Sequence, residues 1–119
     1  MTGGTGTNQF VFTAPGASNT IADFAASTTN ELVFSNSGFS LGLTGGTTTP
    51  QALSASQAAT LFTANSTGAF ANTSQRLAYD TTNGELFSST TGSGGTSHLV
   101  ATLTGEPAIN TANQLFFIS

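Results

Sequence analysis

Cysteine and tryptophan are absent from this chain, and Arg76 is its only basic residue. Without cysteine there is no disulfide, no thiol nucleophile and no thiolate metal site, although this does not assign the chain to a reducing compartment. One cation cannot build the basic patch that displaces counterions from nucleic acid, which excludes nucleic acid as a partner. No apolar run approaches the roughly 20 residues needed to cross a bilayer, so membrane insertion is not expected. Met1-Thr-Gly-Gly-Thr-Gly6 has neither the basic nor the apolar region of a cleavable signal peptide. Catalytic groups are as scarce. His98 is the lone histidine, no H-E-x-x-H or G-x-S-x-G context surrounds it, and an exposed or edge-strand position suits it better than a triad. Five scattered acids offer no converging pair for glycoside hydrolysis. Arg76 is expected to form a surface ion pair with Asp80 or Glu85. The chain reads as non-enzymatic.

What fills the sequence instead is Thr, Ser, Asn and Gly, with ten phenylalanines among them. Disorder accompanies high charge and few aromatics, so this composition points to a folded, mostly β protein, and the length of 119 residues fits one domain. Only 5% of the residues are charged. Such a surface has little repulsion to oppose self-association and no lysines to guard strand edges.

Gly3-Gly-Thr-Gly-Thr-Asn-Gln-Phe-Val11 matches the nonapeptide pattern G-G-x-G-x-D-x-U-x, with Asn8 at the acidic position and Phe10 pointing inward. Short strands then flank a Pro15-Gly16 turn, and Glu31–Ser35 forms a further strand; Phe10, Phe12, Ile21, Phe24, Leu32 and Phe34 are core candidates. Gly38–Leu43 reads as one more strand. Ser54 and Gln57 mark the start of a single short helix over Ser54–Phe62, with Ala58, Leu61 and Phe62 on one side. Ala69-Phe70 reads as a brief strand. Arg76–Phe87 reads as a hairpin closed by a two-residue type I′ turn at Asn83-Gly84, continued by His98–Leu103 as an antiparallel meander. Leu115–Ile118 is too short for a buried helix and suits a strand near that hairpin, with one of Phe116 and Phe117 facing outward.

The order F-V-F, turn, T-I-x-D-F, L-x-F-S, then the Asn83-Gly84 hairpin, Gly92–Gly95, Leu99-Val-Ala-Thr-Leu-Thr-Gly-Glu-Pro and the terminal Leu-Phe-Phe-Ile resembles the carboxy-terminal region of RTX (hemolysin-type calcium-binding repeat) proteins. The resemblance implies an all-β fold with one short helix: the end of a parallel β-roll over residues 1–24, leading into an antiparallel sandwich-like cap over 25–119. It implies a non-enzymatic secretion-target and folding cap of a type I secreted bacterial protein, extracellular or at the cell surface. The partner would be the type I export machinery, with Leu115, Phe116, Phe117 and Ile118 in the signal. With one such repeat after Met1, it also implies a piece of a longer chain.

The family's calcium ligands are largely replaced. Asn8 and Asn19 stand where aspartate is usual, Ser88, Ser89 and Thr90 follow the hairpin in place of an acidic loop, and Asp23 remains. Hard cations need several oxygen ligands, usually including carboxylates, so Asn8 and Asp23 would be the calcium ligands if any are, and their number argues against tight binding. Asn and Thr hydrogen bonds between stacked turns can do the same work without an ion. Two other functions suit the composition: a self-assembling surface layer, matrix or filament protein, hence a homo-oligomer or polymer, and a carbohydrate-binding module. The second lacks the tryptophans that sugar platforms favour.

Overall fold

A computed structural model describes residues 1–16 and 18–119. Its elements are β1 (Gln9–Phe12), β2 (Asn19–Ile21), a 3₁₀ turn (Phe24–Ala26), β3 (Glu31–Ser35), β4 (Gln51–Ala52), α1 (Ala55–Leu61), β5 (Phe62–Asn65), β6 (Leu77–Asp80), β7 (Glu85–Ser88), β8 (His98–Leu103) and β9 (Leu115–Ile118). The fold is mostly β with one short helix, as the composition implies.

The strands form two sheets, ordered β1-β3-β9-β4 and β2-β8-β7-β6-β5. Both are mixed, and neither is closed or curled. The expected meander is present, since β6, β7 and β8 pair antiparallel. An antiparallel cap is not: β1–β3, β3–β9, β2–β8 and β5–β6 are all parallel. Alternation in a strand records which face is buried, not the direction of its neighbour. The direction follows from the chain's path, in which β1 lies in one sheet, β2 in the other and β3 returns beside β1. Pro15-Gly16 therefore connects two sheets rather than closing a hairpin. For the same reason β9 pairs with β3 and β4, in the sheet opposite the hairpin.

The inner faces meet in one core that includes every candidate from Phe10 to Phe34. In β1, Phe10 and Phe12 point inward while Gln9 and Val11 face solvent. Phe34 on β3 stacks on Phe12 at 5.5 Å and 20° and meets the edge of Phe39 at 5.3 Å and 85°. The helix starts as its sequence dictates. Gln57 N–H donates to Ser54 Oγ (3.1 Å), Ser54 N–H donates to Gln57 Oε1 (2.9 Å), and Ala58 and Leu61 are buried.

Side-chain bonds to backbone explain the other departures. Gly38–Leu43 is a turn, not a strand, because Asn36 bonds both the carbonyl and the amide of Leu43 while Gly38 N–H donates to Ser35 Oγ. Ser40 sits there at φ 53°. Ala69-Phe70 is not a strand. Asn65, the last residue of β5, instead holds Ala69 from both sides with its amide. The hairpin loop is longer than a type I′ turn. Asp80 accepts from the amide and hydroxyl of Thr82, Gly84 N–H reaches the Asp80 carbonyl (2.9 Å), and Gly84 alone of the Asn-Gly pair has positive φ. Arg76 makes no ion pair with Asp80 or Glu85; its guanidinium donates to the carbonyls of Ser40, Thr73 and Gln75.

Ser88 Oγ is the one buried side-chain polar atom without a hydrogen-bond partner among the described residues. An unsatisfied buried hydroxyl costs about 1–3 kcal/mol. Ser88→Ala is therefore expected to raise the unfolding free energy by about 1 kcal/mol in urea denaturation, where most buried polar-to-alanine changes lower it.

Candidate functional site

Two places hold the candidate residues: the turn ahead of β1 and the strand β9. The first is built by a repeat that becomes evident once the strands are aligned. Thr7-Asn8-Gln9-Phe10-Val11-Phe12 recurs as Thr29-Asn30-Glu31-Leu32-Val33-Phe34, and Asn113-Gln114-Leu115-Phe116-Phe117 repeats its last five positions. These segments hold the three adjacent parallel strands β1, β3 and β9, with Phe10, Leu32 and Leu115 aligned, then Val11, Val33 and Phe116, then Phe12, Phe34 and Phe117.

Between the first two copies the alignment extends to the polar residues, each bond spanning 22 residues. Thr7 and Thr29 share a hydroxyl bond (2.6 Å), Asn8 N–H donates to Asn30 Oδ1 (2.9 Å), and Gln9 Nε2 donates to Glu31 Oε1 (2.8 Å). Asn30 is fully buried and donates onward to the Phe24 carbonyl (3.0 Å). It anchors the turn, yet sequence reasoning passed over it; the signal was the repeat itself.

Asn8 and Asp23 lie in this same region but are engaged separately. Asn8 Nδ2 faces the carbonyls of Gly4 and Gly6 at 3.3 and 3.2 Å. Both Asp23 oxygens accept from Gly3 N–H (2.9 and 3.0 Å), and one also accepts from Gly4 N–H (2.9 Å). Those amides, Gly3 first, hold the Asp23 carboxyl below its ordinary range. A calcium ion needs free oxygens converging on one point. Here a donor group satisfies the loop carbonyls and backbone amides occupy the carboxylate, so the arrangement does not fit the ion. No group of three or more His, Asp or Glu side chains is placed to hold a metal among the described residues. Asn19, at the start of β2, is half-buried. After the hairpin, Ser89 Oγ closes its loop by accepting from the amides of Thr91 (3.2 Å) and Gly92 (3.0 Å).

The four residues of the second place form β9. Leu115 and Phe117 are buried, while Phe116 and Ile118 are half-buried. Asn36 N–H donates to the Ile118 carbonyl and Ser119 N–H to the Thr47 carbonyl, which fixes the end of the chain in the sheet.

Among the described residues, shallow grooves of about 230, 350 and 260 Å³ lie against the 3₁₀ turn and on two sides of α1. None is lined by a titratable residue. His98 is exposed at the start of β8. Among the large apolar side chains of the described residues, Met1 and Val11 are exposed, while Phe70, Phe87 and Phe116 are half-buried.

Asp80 is held low as well, first by the Thr82 hydroxyl and then by its amide. Both carboxyls titrate lower when folded than unfolded, so as pH falls the unfolded chain takes up protons first. Stability is expected to be level above the ordinary carboxylate range and to drop below about pH 4. Asp80→Asn should flatten that drop when unfolding is followed against pH.

No protein-family model, curated protein or solved structure matches this chain.

Proposed function

We propose that the chain is a non-enzymatic secretion-target and capping domain of a type I secreted, RTX-like bacterial protein, in which the parallel strands at the amino end close a β-roll and the carboxy-terminal residues address the exporter. The observation that carries this reading is the series β1-β3-β9, three parallel strands of one sequence pattern in register, ending on the open side of β1. A solenoid end needs a closing unit because its last coil leaves backbone groups and apolar side chains unpaired. Beyond β3 and β9 the helix, the meander and the loops provide that closure. The motif order through Leu115–Ile118 supports the export half.

The test is secretion of a passenger fused ahead of residues 1–119 in a bacterium carrying a type I exporter. Passenger in the medium, lost when Leu115–Ser119 are deleted, is the expected result. Retention of the intact fusion overturns the proposal.

A second reading, a self-assembling extracellular structural protein, draws on Val11. It is 43% exposed on an edge strand that has no charged residue. Light scattering that rises with concentration would favour it.

A further inference from the structure

We infer that the open edge of β1 is a docking site for one kind of partner: a coil of 22 residues, joined in line ahead of the chain, whose strand carries Asn, a polar residue and inward apolar residues in register with Asn8, Gln9, Phe10 and Phe12. This rests on the capping reading and specifies the coil that the cap accepts. The Gly-rich nonapeptide leaves that specificity open, because it fixes neither the coil length nor the Asn ladder.

Three observations carry it. Among the described residues β1 pairs with β3 alone, which leaves its other edge free for a ladder. The bonds that set the register of β1 on β3 come from Thr, Asn and Gln or Glu side chains 22 residues apart, and Asn8 offers a further strand the position that Asn30 offers β1. Lastly, Met1 already lies on the edge of β2. Its amino group donates to the Thr20 carbonyl and its carbonyl accepts from Ala22 N–H (2.9 Å), the alternation of a parallel ladder. Met1 thus pairs along β2 as β2 pairs along β8. A polypeptide added there has one strand position on each sheet. A slip of one residue would turn the inward face outward and break the Asn ladder together.

The test is an in-line duplication of Gln9–Asn30 inserted after Asn30, compared with the same insertion one residue shorter and with one carrying Asn30→Ala in the first of its two copies. The full insertion is expected to raise the urea midpoint and to be cleaved about tenfold more slowly by protease than the shortened one, with the alanine form between them. Equal midpoints and equal cleavage for the full and shortened insertions would overturn the inference. Because both readouts are made on purified protein, they are independent of whether the chain is exported.

Discussion

Phe34→Ala is expected to lower the unfolding free energy by about 3–5 kcal/mol, enough to leave a domain of ordinary stability barely folded. The ring is fully buried and sits on β3, which has a parallel neighbour on each side. It also joins two others, lying flat against Phe12 and edge-on to Phe39. Truncation removes the area of one ring and the favourable geometry of two pairs, and a strand fixed on both sides cannot collapse into the space. Phe10→Ala should cost less. Phe10 lies on the edge strand, and its ring contact is with Phe24 at 6.2 Å. Urea denaturation checks both; a loss under about 2 kcal/mol for Phe34→Ala would show that the core relaxes around the gap.

The second large effect is expected at Gly84. Its φ of 76° is strained for any residue with a Cβ, and a Cβ built there would lie 2.2 Å from the Leu103 carbonyl oxygen. That atom belongs to the end of β8, whose Leu103 N–H donates back to the Gly84 carbonyl at 2.8 Å. Relieving the clash means pulling the hairpin loop away from β8. Gly84→Ala should cost about 3 kcal/mol, of which roughly 1–2 is the left-handed backbone. Gly94→Ala provides the control: its φ is 81°, but nothing lies within 4 Å of the added atom. About 1 kcal/mol is expected there. Equal losses at the two sites would remove the contact from the explanation.

The contrast between these glycines also bears on what the sequence makes legible. Asn83-Gly84 announces a hairpin, and a hairpin is there. Its turn type is set by Asp80, which engages Thr82 and starts the loop early. The bounds of β3, β8 and β9 and the capping box of α1 follow from local pattern, since each depends on residues within a few positions. Parallel pairing does not, because it joins residues 22 apart in β1–β3 and much further apart in β3–β9. The one sequence signal for it is the recurrence of Asn, Gln or Glu, two apolar residues and Phe at Asn8, Asn30 and Asn113. Asn30 shows why composition misleads at such a site. In a chain rich in Asn and Thr it looks like one more surface residue, yet it is fully buried and bonds two turns together.

That buried amide also distinguishes this turn from one clamped by an ion. In an ion-clamped turn, carboxylates repel one another until the cation arrives, so folding depends on it. Here Asn8 supplies donors to the loop carbonyls, and the Asp23 carboxylate is held by backbone amides. The turn is complete with its own side chains. Calcium would then not govern whether this region folds.

Thermal unfolding in millimolar calcium and in excess chelator tests this most directly. Midpoints that agree within about 1 °C are expected, since a ligand that does not bind the native state adds no stability. A midpoint higher by about 5 °C or more in calcium would mean that the ion binds the folded chain, and would contradict a turn held by side chains alone.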